Sequence, residues 1–128
     1  MAHPELPRPT DAELAILRVL WRLGPSTVRT VHDELSHDQS TGYTTVLKLM
    51  QIMTEKGLVE RDESERAHVY SARASEQKTQ RQLVNDLLDR AFAGSMSKLV
   101  VQALSSQKAS SDEIAAIRAL LDSMEGGK

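Results

Sequence analysis

The side chains best able to do chemistry in this 128-residue chain are not spaced for catalysis. Four histidines stand at positions 3, 32, 37 and 68, with no His-x-x-x-His pair to share a helix face, and no cysteine is present to complete a metal's coordination sphere. A Gly-rich phosphate loop and a Gly-x-Ser-x-Gly elbow are both missing from the sequence. The reading is therefore a protein with no catalytic residues, no metal site and no cofactor, in which Asp, Glu and His mostly solvate helix faces.

A second set of residues suits a different task. Thr44, Thr45, Lys48 and Gln51 recur at helical spacing opposite Val46, Met50 and Met53. Small hydroxyls, an amide and a cation near a helix N-terminus are what base edges and phosphates in a DNA groove require, and a threonine methyl also suits thymine. An ordinary solvated helix face is the competing reading. Downstream, Arg61, Arg66 and His68 could meet phosphates, but Asp62, Glu63 and Glu65 beside them fit a solubilising turn nearly as well. Tyr43 and Tyr70 read as packing residues.

These side chains need elements to position them. Thr10 with Glu13 makes a capping box, and Leu14, Leu17, Leu20 and Trp21 follow at helical spacing up to Gly24-Pro25, so a first helix is expected from Asp11 to Leu23. Ser26 is the expected cap of a short second helix carrying Val28, Val31 and Leu35. After the polar run 36–40, a third helix is expected from near Gly42 to Lys56, with Val46, Leu49, Met50 and Met53 inward and Gly57 at the left-handed C′ position. Residues 58–61 and 68–71 then read as two strands around a charged turn, a hairpin without the Asn-Gly or Asp-Gly signal. Three short helices followed by a hairpin is the order of a winged helix-turn-helix, whose third helix enters the major groove.

From Ser75 the helical period returns. Leu83, Val84, Leu87, Leu88, Ala91 and Phe92 form a wide stripe ending at Gly94, then a shorter helix follows, and Ser110 with Glu113 caps a last one carrying Ile114, Ile117, Leu121 and Met124. So small a segment buries little by itself, and its stripes ask for a partner, most economically a second copy. Dimerisation is assigned to Leu83, Leu87, Leu88, Phe92, Leu104, Ile117 and Leu121. The expected fold class is mainly α with a small β-hairpin: a flexible tail over 1–9, a winged helix-turn-helix DNA-binding domain over 10–73, a helical dimerisation domain over 74–124, and a flexible tail over 125–128.

Composition limits the alternatives. With 40% apolar residues and no long uncharged apolar run, Leu14 to Leu23 being broken by Arg18 and Arg22, no membrane span or direct membrane binding is expected. No signal-peptide pattern opens the chain, so a cytoplasmic location is expected. The net charge of -2, and 9 basic against 11 acidic residues over 1–74, announce no bulk attraction to nucleic acid. That balance keeps open a second reading, a winged-helix protein–protein adaptor without DNA binding. Cations clustered on one face favour DNA, and an evenly mixed surface favours the adaptor.

The sequence also resembles the penicillinase-repressor family of bacterial winged-helix regulators, known as BlaI/MecI/CopY. The resemblance lies in TDAELAILRVLW (10–21), TGYTTVLKLMQIMTEKGLVERD (41–62), AHVYSA (67–72) and SSDEIAAIRALLD (110–122). It implies a homodimeric repressor whose N-terminal domains read the half-sites of a palindromic operator; with the helical spacing above, double-stranded DNA is expected to meet Thr44, Thr45, Lys48, Gln51 and, from the wing, Arg66. A membrane sensor-protease partner and control of antibiotic-resistance genes are among its implications. Three positions depart from the family pattern. The clustered cysteines of copper-responsive members are absent, Gln102-Ala103 stands where β-lactam-responsive members are cut at Asn-Phe, and Ile52-Met53 replaces a frequent Arg-Leu.

Overall fold

A computed structural model of the chain describes residues 7–37 and 41–126. Helix α1 (Asp11–Leu23) begins at the expected capping box. Thr10 Oγ1 accepts the Glu13 N–H at 3.2 Å, and Glu13 Oε1 accepts the Thr10 N–H at 2.9 Å. The helix ends at Gly24, whose positive φ of 86° turns the chain toward Pro25 and whose N–H donates to Leu20 O. Residues 1–6 of the expected first tail lie outside the described residues, and Pro9 is buried.

Helix α2 (Val28–Leu35) is capped by Thr27 and not by Ser26, since Thr27 Oγ1 accepts the Thr30 N–H at 3.2 Å. Ser26 has another use that holds it extended: its N–H and C=O pair with Tyr70 O and N at 2.9 and 2.8 Å, a bridge onto the hairpin. The helix therefore starts one residue late. Replacing Thr27 by Ala is expected to cost about 1 kcal/mol in urea-induced unfolding.

Helix α3 (Tyr43–Lys56) closes on Gly57 in the left-handed conformation, with Gly57 N–H reaching Met53 O and Thr54 O and Leu58 N–H reaching Met53 O. That closure occupies the Leu58 N–H, so strand β1 is Val59–Asp62 and its antiparallel partner β2 is Val69–Ala72, each one residue later than expected, with Val59 opposite Ala72 and Asp62 opposite Val69. Three helices and a hairpin in this order make a winged helix-turn-helix.

One apolar cluster binds these elements together: Ile16, Leu17, Val19 and Leu20 from α1, Val28 and Val31 from α2, Val46, Met50 and Met53 from α3, and Leu58, Val59 and Tyr70 around the hairpin. Trp21 and Leu35, expected inside, pack only at its margin, and Leu14 is half-buried. The Trp21 indole keeps its polar end at the edge, where Nε1 donates to Ala74 O at 3.0 Å. Ile16 and Val19 are buried instead, because α1 packs against α2, α3 and β2 together and needs a wider apolar arc than one stripe.

The chain divides into two compact units between Val84 and Asn85. Helix α4 (Glu76–Phe92) crosses that division, and its Thr79 is buried. Helix α5 (Met96–Ser106) is capped by Ser95, and α6 (Ser111–Gly126) by the expected Ser110–Glu113 box, with its two bonds at 3.0 and 3.1 Å. The last helix runs through Glu125 and Gly126, two residues expected in the second tail; the other two lie outside the described residues. No residue of α5 or α6 is buried. Leu87, Leu104, Ile117 and Leu121 are exposed, while Leu83, Leu88 and Phe92 are half-buried. Among the described residues no helix is long and apolar enough to cross a membrane.

Candidate nucleic-acid interface

Helix α3 sorts its side chains by the 100° step between successive residues. Val46, Met50 and Met53 point into the core. Thr44, Lys48 and Gln51 fall within about 60° of arc on the opposite side, all exposed. Thr45 is also exposed but stands off that row, on the flank it shares with exposed Ile52. Tyr43 and Leu47 mark the other flank. The five DNA-binding positions expected from sequence are thus a compact row of three, Thr45 at its side, and Arg66 on the hairpin turn.

Both helices nearest this face begin without acid. The first turns of α2 and α3 carry no Asp or Glu, and Gly42, which caps α3, has no side chain to accept from it, so among the described residues no side chain caps the α3 N-terminus and the positive end of its dipole. Between them and the hairpin turn lies a groove of about 440 Å³, lined by Thr27, Val28, Arg29, Tyr43, Leu47, Arg66, Ala67, His68 and Tyr70. Two arginines and a histidine line it, and among the described residues no carboxylate does. Arg29 was not singled out in the sequence. It lies over the Tyr43 ring, 5.4 Å from guanidinium carbon to ring centroid, and the His32 ring meets the same tyrosine edge-on at 5.8 Å. Tyr43 is 40% exposed, whereas Tyr70 is a core residue.

Several of the acidic residues that make the first unit net negative are engaged away from this groove. Glu13 pairs with Lys56 at 2.7 Å, Glu34 with Arg22 at 2.9 Å, Glu60 with Arg73 at 3.5 Å and Glu63 with Arg61 at 2.7 Å. Asp62 accepts the Ser64 N–H at 2.9 Å, and this backbone hydrogen bond holds its carboxyl below the ordinary value. Arg61, a possible phosphate contact by sequence, is thus tied to Glu63. No carboxylate pairs with Arg29, Lys48 or Arg66 among the described residues. Glu-x-x-His spacing does occur twice, at Glu34/His37 and Glu65/His68, but neither belongs to a group of three side chains able to hold a metal among the described residues.

Cations left unpaired among the described residues around the start of an exposed helix are what DNA docking requires, and the known proteins that this chain resembles are DNA-binding repressors. The family profile described as penicillinase repressor matches residues 9–123. The transcriptional regulator BlaI of Mycobacterium tuberculosis is 34% identical over 125 residues, 96% of this chain and 89% of its own. The penicillinase repressor of Bacillus licheniformis is 23% identical over 124 residues, 97% of each chain. The solution structure of the DNA-binding domain of the repressor BlaI superposes with a TM-score of 0.51 at 25% identity, covering 56% of this chain and 88% of that one. The monomeric form of Bacillus licheniformis BlaI, solved in complex with the blaP half-operator, gives a TM-score of 0.50 at 25% identity, covering 57% and 89%.

Proposed function

The chain belongs to the penicillinase-repressor family of DNA-binding transcriptional repressors, and we propose that it represses as a cytoplasmic homodimer on a palindromic operator and is released by an inducing signal. The observation that carries this reading is the exposed row Thr44, Lys48 and Gln51, closed by Glu55 at its far end, beside a groove lined by Arg29 and Arg66, with neither arginine nor Lys48 paired to a carboxylate among the described residues. In it, the three row residues face base edges in the major groove, Thr45 stands at the groove wall, and Arg66 reaches the backbone from the wing. The exposed apolar rows of α4, α5 and α6, including Leu87, Leu104, Ile117 and Leu121, support pairing with a second copy, with Leu83, Leu88 and Phe92 completing the interface. The blaP half-operator seen with the Bacillus licheniformis relative supports a two-half-site operator. A membrane sensor-protease acting on the arm would supply the release, at or near Gln102-Ala103.

The test is binding to promoter duplexes across a salt series. Each displaced counterion steepens the log–log salt dependence by about 0.9, so sequence-selective, strongly salt-dependent binding is expected. Lys48→Ala should weaken it by about 1–3 kcal/mol if the ammonium meets a base, or mainly flatten the slope if it meets a phosphate. Absence of selective binding to any promoter, its own included, would return the fold to the adaptor reading, against which the lack of any carboxylate pair at Arg29, Lys48 and Arg66 among the described residues now stands.

A further inference from the structure

The groove flanking α3 contains a cation whose placement is not explained by packing. Arg29 is exposed on the first turn of α2, pairs with no carboxylate among the described residues, and rests over the ring of Tyr43, the first residue of α3. The His32 ring, at 71° to that tyrosine, fixes the ring from the side. A guanidinium held over a ring face by its charge does not spend its N–H donors there, and their planar fork matches two oxygens of a phosphate. Tyr43 lies on the flank of α3 adjoining the Thr44, Lys48 and Gln51 row, where the sugar–phosphate wall of a groove would run if that row faced the bases. Thr27, Arg66 and His68 line the same cleft.

We propose that Arg29, seated on Tyr43, clamps a backbone phosphate of the bound duplex, adding affinity that does not depend on sequence. Arg29 is the phosphate-binding group and Tyr43 is its positioning residue. The inference rests on the DNA-binding reading above and adds to it a contact made by α2.

The experiment uses the full-length protein, a duplex carrying the promoter of its own gene, and an unrelated duplex of equal length. Arg29→Ala should weaken binding to both about tenfold and flatten the salt slope by about 0.9, leaving the preference between the duplexes unchanged. Arg29→Lys should restore the slope but not the affinity, because a point charge lacks the fork. Tyr43→Phe should stay near wild type, since the ring face is kept. Tyr43→Leu should lose affinity only while Arg29 is present, so that the double variant is no weaker than Arg29→Ala alone; thermal unfolding of each variant checks the fold. A wild type that binds selectively while Arg29→Ala matches it in affinity and slope overturns the clamp alone, as do losses at Arg29 and Tyr43 that simply add. A wild type that binds neither duplex overturns the clamp together with the DNA-binding reading.

Discussion

A chain cut after Val84 stays folded, binds a single half-site as the whole protein does, and binds a palindrome at least about 100-fold more weakly. The first half of that result follows from the core, whose every member from Ile16 to Tyr70 precedes the cut. The cut belongs at Val84 and not at Arg73, because Trp21 hydrogen-bonds Ala74 and Thr79 is buried, so an earlier end would strip the cluster's margin. The second half follows from the arm. Val101, Leu120 and Leu121 are each more than half exposed in the single chain, a density of apolar surface that calls for a second copy. Once two DNA-binding units are joined, engagement of the second half-site becomes intramolecular, and losing the junction costs about two decades without touching one DNA contact. Leu87→Glu with Leu121→Glu in the full chain should reproduce the loss. Sedimentation of the intact protein as a monomer at micromolar concentration, or palindrome binding by the fragment as tight as that of the whole, would refute the dimer.

What the sequence reveals and what it conceals divide along physical lines. Capping boxes at Thr10/Glu13 and Ser110/Glu113 are legible because donor, acceptor and spacing all lie within one turn. The left-handed end at Gly57 is legible for the same reason. Ser26 misleads because its backbone is claimed by Tyr70, far along the chain, and local cap chemistry cannot see a tertiary bridge. The row Thr44, Lys48 and Gln51 is readable from period alone, but Arg29 is not: within Thr27-Val28-Arg29-Thr30 it is an ordinary exposed helix cation, and its place beside α3 comes from how α2 packs. Net charge conceals most of all. A first unit with more acids than bases seems a poor match for DNA until Glu13, Glu34, Glu60 and Glu63 are each found on a cation away from the groove. What matters for docking is the charge left unpaired on one face, and a sum over the chain does not contain it.

Lys56→Ala destabilises the protein by about 2 kcal/mol at neutral pH, and the loss fades in acid. Glu13 is 2% exposed at the start of α1, and its carboxylate accepts from the Lys56 ammonium at the end of α3 as well as from the Thr10 N–H. Removing Lys56 leaves a buried carboxylate with a single donor, which by itself would cost about 3–5 kcal/mol; the lysine is about one-third exposed, so solvent already weakens the pair and the lower figure applies. Burial pushes the Glu13 carboxyl up, but the hydrogen bond from Lys56, those from Thr10 and the lysine's charge together outweigh it, holding the group below its ordinary 4.5. A carboxyl that is more acidic when folded takes up its proton first in the unfolded chain. Its stabilising effect is therefore complete above about pH 4.5 and disappears as the pH falls through the lower folded value. Urea unfolding of wild type and Lys56→Ala should accordingly give curves well separated at pH 7 that converge as the pH falls below 4.5. The pair lies at the opposite end of α3 from Tyr43, Thr44 and Thr45, so DNA affinity of the folded variant should be unchanged at neutral pH. A neutral-pH difference below about 0.5 kcal/mol would place Lys56 among ordinary surface ion pairs, and a difference that widens in acid would contradict the depressed carboxyl.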